Sequence, residues 1–199
     1  MNKPKIFNWL DFFTFGMLSI VALALTVVVW LSDTQLQAKA LTTVVGLVFA
    51  TIYAVILVMR KKSIDSADFY TFNGWAVVNK SSNTSIHPDL VNAEIQRTID
   101  LWKKVIEWDA NCDAAINKHY KVIFKDGILQ ESSDGFKITG QTLGVKFGAF
   151  DGQIEVGLSE KPIEQTALAH EVGHVIYNGK FGVLDNDATH KYMQEHNLP

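Results

Sequence analysis

The sequence predicts an α+β protein led by a transmembrane helical hairpin, and two observations carry that expectation. Residues 12–31 and 40–59 contain no Asp, Glu, Lys or Arg. After residue 62 the pattern changes to one amphipathic helix, several short β-branched segments separated by Gly and Asp, and two closing helices. The expected division is a membrane hairpin over residues 1–62 and a water-soluble domain over residues 63–199.

Each uncharged run is about 20 residues long, enough at about 1.5 Å per residue to cross a hydrocarbon layer about 30 Å thick. Neither run has the polar stripe of a soluble amphipathic helix. The first is about twice as long as the apolar part of a signal peptide. Its nearest small-x-small site, Ala38-Lys39-Ala40, comes late, so an uncleaved anchor is expected. Lys3 and Lys5 precede the first run and Arg60, Lys61 and Lys62 follow the second, whereas the connecting loop holds only Lys39 and Asp33. The positive-inside rule then places both termini, and the soluble domain, on the cytoplasmic side. The bilayer is thus an expected partner, and the helices offer a route to oligomers.

Charge separates the halves. Residues 63–199 carry twelve Lys/Arg against nineteen Asp/Glu, a balance of −7. With no basic run or basic-aromatic interleaving, nucleic acid is not an expected partner. The single cysteine, Cys112, cannot form an internal disulfide and reads as a structural thiol.

In the soluble part, 63–70 reads as a polar connector and 75–78 as a strand after Asn73-Gly74. Pro88 suits a first helical turn, with Val91, Ile95, Thr98, Trp102 and Val105 at helical spacing. Strands are expected over 120–124, 136–138, 143–147 and 153–158, the last alternating polar and apolar as a half-exposed strand does. Pro162 opens a helix to about Tyr177, with Asn178-Gly179 as its stop. A final helix starts near Asp187, read as its N-cap, and runs toward His196.

Four of six histidines lie in the last thirty positions. His170 and His174 are four apart and share one helix face, able to hold one Zn²⁺. Glu171, about 100° around the helix, is suited to act as general base on a metal-activated water. Leu168, Val172, Val175 and Ile176 form the apolar stripe that buries the opposite side. His190, one turn into the last helix, is the favoured third ligand; Asp185, Asp187 and Glu195 remain alternatives, and an acid near 185–187 could instead orient a histidine. His87, His119 and His196 fall outside this set, and Tyr177 and Tyr192 read as packing residues.

The stretch Ala167-Leu-Ala-His-Glu-Val-Gly-His-Val-Ile176 resembles the active-site helix of the zincin (HExxH) metallopeptidases. That resemblance covers this helix and, more loosely, the order of elements before it. It implies a small zincin-like domain with a mixed sheet, an endopeptidase rather than exopeptidase activity on peptide or protein substrates, and an edge strand, expected at 153–158, that pairs with the substrate. The third-ligand spacing departs from the metzincin, gluzincin and aspzincin patterns. The competing expectation is a structural membrane protein, for example of a bacterial envelope or bacterial virus, whose zinc site is non-catalytic.

Overall fold

The computed structural model describes residues 12–32, 35–83, 86–131, 137–144, 149–158, 167–183 and 185–199. They fall into two compact units, one ending at Asp65 and the other running from Ser66 to Pro199.

In the first unit a π-helical turn, Phe12–Gly16, leads into α1 (Met17–Leu31), and α2 follows over Leu36–Asp65. The second helix begins earlier and ends later than the uncharged run 40–59, because its flanking Gln, Lys and Arg residues are also good helix formers. Both helices are long and apolar enough to cross a membrane, with only 17% and 6% of their spans buried. A core helix of a soluble protein would hide most of that surface. Gly46 lets the two approach: a Cβ there would lie 3.3 Å from Thr26 Oγ1 and 3.4 Å from Leu23 Cδ2. The Thr26 hydroxyl lies 2.8 Å from Ala22 O in its own helix and 2.9 Å from Thr42 O across the hairpin. Trp30 Nε1 donates to Thr43 Oγ1 at 2.9 Å. Such internal pairing suits an environment that offers polar groups no water.

The second unit contains β1 (Phe69–Tyr70), β2 (Ala76–Asn79), α3 (Pro88–Trp102), α4 (Ala110–Ile116) and β3 (Tyr120–Asp126). It continues with β4 (Gln130–Glu131), β5 (Lys137–Ile138), β6 (Gly140–Gly144), β7 (Gly152–Leu158), α5 (Leu168–Phe181) and α6 (Asn186–Glu195). The result is a mixed α+β fold. Its five-stranded sheet has the order β1-β2-β3-β7-β6. The central strands β2, β3 and β7 are parallel, and β1 and β6 run antiparallel at the two edges.

Alternation builds the core. Val122 and Phe124 of β3, Ile154 and Val156 of β7, and Val77 of β2 share one face of the sheet and are fully buried. Against them pack Val91, Ile95, Ile99 and Trp102 of α3 and Leu168, Val172, Val175 and Ile176 of α5. Each such aliphatic side chain contributes about 1.5–3 kcal/mol when removed from water.

The strand at 153–158 is not the sheet edge that the sequence led us to expect. It is β7, flanked by β3 on one side and β6 on the other. Its polar alternation has another cause. Glu155, 9% exposed, accepts from Lys125 Nζ, Gln141 Nε2 and Gln153 Nε2, each at 2.8 Å, so the polar face of β7 is a side-chain network rather than open surface. The edge on this side is β6, shifted from the expected 143–147; residues 145–148, like Phe136, lie outside the described residues.

Two further expectations change. Asn178-Gly179 does not end the long helix, which continues to Phe181 and stops at Gly182 in the left-handed conformation (φ 66°). Gly179 serves close packing instead: a Cβ there would collide with Ala115 Cβ of α4. Helix α4 itself was not anticipated, although Asp109 caps it by accepting from the amides of Asn111 and Cys112 at 3.0 and 3.1 Å. Lys180 of α5 closes the same joint, donating to Asp109 Oδ2 and Glu107 O. Gly179→Ala is therefore expected to destabilise the domain by about 1–3 kcal/mol through overpacking, outweighing the helix-propensity gain of about 1 kcal/mol. A denaturant midpoint equal to or above wild type would show that α4 and α5 can separate freely.

Candidate metal centre

Three of the four C-terminal histidines meet at one point. Helix α5 presents His170 and His174 one turn apart. The chain then reverses through left-handed Gly182 and enters α6, whose N-cap is Asp185, with its carboxylate on the amides of Asp187 and Ala188 at 3.0 and 3.2 Å. Asp187, read from the sequence as the cap, is instead an exposed first-turn residue. Thr189 and Met193 are the buried face of α6. Met193 reaches Gly173, where a Cβ would lie 2.5 Å from Met193 Cε and 3.1 Å from Trp102 Cζ2, so a glycine between His170 and His174 lets the helices close. This packing leaves His190 pointing at His170 and His174.

The Nε2 atoms of His170, His174 and His190 form a near-equilateral triangle with sides of 3.0, 3.1 and 3.2 Å. All three pairs of ring centroids are 4.9 Å apart. These three nitrogens would hold one metal ion at ordinary metal–imidazole distances, and three protein ligands are the number that leaves a position for water or substrate. Hydrogen bonding alone suits the triangle poorly. Each Nε2 carries either one N–H or one in-plane lone pair, and three such groups cannot all satisfy one another. A cation can meet all three lone pairs at once.

Burial, then the neighbouring imidazoles, holds His174 down to about 4, and His170 is lowered for the same reasons in the same order. Both rings are therefore neutral at pH 7, the form that ligates metal.

Next to His170 in the chain, Glu171 is 3% exposed and makes no ion pair among the described residues. Its Oε2 accepts from Thr142 Oγ1 of β6 at 2.6 Å. A Cβ on Gly140, two residues earlier in β6, would lie 2.5 Å from Glu171 Oε1, so this glycine makes room for the carboxylate. Burial raises the Glu171 carboxyl to about 7, partly opposed by the Thr142 hydrogen bond. A cation held by the adjacent histidines would favour the ionised form.

Compared with protein-family models, curated proteins and solved structures, the chain matches none. The site must be read from its own atoms.

Among the described residues, His170, His174 and His190 are the one group of three or more potential ligands close enough to share a metal ion. Asp185 is committed to its cap, and Asp187 and Glu195 lie outside the group. His196 packs on Tyr192, with ring centroids 4.3 Å apart. His87 sits exposed at the start of α3, and His119 holds Asp151 through main-chain hydrogen bonds. Tyr192 lies parallel to Trp102 at 5.9 Å and touches Tyr177, both as packing residues. Cys112 is fully buried, and desolvation pushes its thiol up, away from reactivity. Thr142 and Gly140 escaped sequence reasoning. Their partner is 29 or more positions away, and a Thr in a short strand carries no local sign of such a contact.

Proposed function

We propose that this protein is a membrane-anchored zinc metallopeptidase of the zincin type, cutting within peptide chains near a bilayer. The observation that carries the reading is a three-imidazole triangle whose helix also carries a buried carboxylate, Glu171, with a hydroxyl as its one described polar partner. Three neutral imidazoles with an open fourth position suit Zn²⁺ better than Mg²⁺ or Ca²⁺, which prefer oxygen. Bound zinc supplies Lewis acidity toward a carbonyl and lowers the pKa of a water.

The chain's own residues do the rest. Thr142 holds Glu171 Oε2, and the Glu171 carboxylate would accept a proton and pass it to the leaving amine. Strand β6 has its outer side unpaired among the described residues. An extended peptide added there would lie antiparallel to β6 and beside Glu171. The flanking charges of the two apolar helices favour a cytoplasmic catalytic domain.

One observation favours a second reading, a structural membrane protein with a metal staple. At 3% exposure, Glu171 is more enclosed than a base that must meet substrate needs to be.

Chelation separates the readings. With full-length protein in detergent and an unstructured polypeptide substrate, a strong chelator is expected to abolish cleavage and added Zn²⁺ to restore it. Metal-replete protein that cleaves no polypeptide leaves the staple reading standing; cleavage that persists after metal is stripped removes zinc from the reaction.

A further inference from the structure

Strand β6 meets both oxygens of the Glu171 carboxylate. Residues 140 and 142 lie on one face of the strand, two positions apart. Thr142 Oγ1 donates to Oε2 at 2.6 Å. Under Oε1 lies the bare backbone of Gly140, where a Cβ would come within 2.5 Å of that oxygen and 2.6 Å of Ala167 Cβ. Helix α5 by itself cannot hold this group. A glutamate side chain turns about three torsions, and the helix fixes only the direction in which it starts. The tie to Thr142 removes that freedom.

Strand β6 is itself fixed from its other face. Gln141 Nε2 donates to Glu155 Oε2 at 2.8 Å, and Lys125 and Gln153 donate to the same carboxylate. The register with β7 sets Gln141 opposite Glu155 and Thr142 opposite Ile154, and Gly157 N donates to Thr139 O at 2.7 Å. The far side of β6 is unpaired among the described residues. A peptide strand added there would run about 4.7–4.9 Å away.

We propose that Thr142 is a positioning residue: its hydroxyl fixes Glu171 to strand β6, so the strand that would receive the peptide also sets where the base stands relative to it. This rests on the peptidase reading and adds to it the group that orients the base. Gln141 and Glu155 act one step further back, by holding β6. The Thr142 hydroxyl is spent on Glu171 and not on substrate, so its loss slows turnover and leaves peptide binding alone.

The test uses full-length, zinc-loaded protein in detergent with an unstructured polypeptide as substrate. It also follows the ¹³C resonance of the Glu171 carboxyl, identified by its absence in Glu171→Gln. Thr142→Val keeps the side-chain shape and removes the hydroxyl, whereas Thr142→Ser keeps the hydroxyl. Thr142→Val is expected to lower kcat by about 10–100-fold, the cost of a misplaced reacting group. KM and zinc content should stay at wild-type levels, and the Glu171 resonance should shift or broaden. Thr142→Ser is expected to recover most of kcat and the wild-type resonance. Wild-type kcat in Thr142→Val overturns the proposal, as does an equal loss in Thr142→Ser, which would make the effect one of packing. A loss confined to KM also overturns it, since Thr142 would then serve the peptide and not the base. Zinc-loaded wild type that cleaves nothing defeats the peptidase reading, and the resonance then decides. Its change in Thr142→Val with recovery in Thr142→Ser upholds the tie, and its persistence refutes it. Should Thr142→Val not fold, Thr142→Ala supplies the same readouts.

Discussion

Glu171→Gln is expected to lower peptide hydrolysis by about 10²–10⁴-fold while zinc content stays at the wild-type level. The substitution changes one oxygen to an amide of the same shape, so Thr142 keeps an acceptor. The cavity between Gly140, Ala167 and β6 stays filled. Stability should therefore change little, and because burial already favours the uncharged carboxyl, a neutral amide removes no buried charge that folding depends on. What disappears is an atom able to take and return a proton. Metal analysis, thermal unfolding and turnover on the same preparation make the comparison. A zinc-loaded Glu171→Gln protein with wild-type turnover would remove Glu171 from the chemistry and leave the site without a base.

His190→Ala is expected to cost more metal affinity than the roughly 100-fold typical of losing an outer-shell partner, because it removes one of three direct ligands. The remaining pair, His170 and His174, leaves two coordination positions to water. His190 is exposed on α6, so the domain should stay folded, and lost metal cannot be blamed on lost structure. Asp185→Ala is the informative counterpart. It removes the α6 cap, costing about 0.5–2 kcal/mol of stability, but should leave zinc stoichiometric. Isothermal titration of zinc into the two variants distinguishes them. Retention of tight zinc by His190→Ala, with loss by Asp185→Ala, would move the third ligand to the acid and break the triangle as the binding unit.

Much of the architecture follows from short-range signals. The amphipathic spacing from Pro88 became a helix as far as Trp102, with Val105 falling in the turn beyond it, and the β-branched segment at 120–124 became a strand and the uncharged runs near the N-terminus became helices, because one turn or one pleat suffices to express them. Misreadings cluster where a residue's reason lies far away. Gly179 looked like a helix stop, yet it is glycine because Ala115 sits against it. The alternation at 153–158 looked like exposure, yet Glu155 is enclosed by Lys125, Gln141 and Gln153. Asp187 looked like the cap of the last helix, yet Asp185 is the residue that holds the first amides.

The histidine pair with its intervening glutamate belongs to the sequence alone. Helical periodicity puts His170 and His174 on one face wherever that helix lies, and charge and length similarly dictate which segments suit a membrane. The third member of the site could not be settled that way. His190, Asp185, Asp187 and Glu195 all lie within reach along the chain, and choosing among them needs the angle at which α6 returns. Gly182, the Asp185 cap and the contact of Met193 with Gly173 set that angle. Thr142 and Gly140 meet Glu171 for the same reason, since β6 and α5 become neighbours only when the sheet and helices bury their shared apolar face.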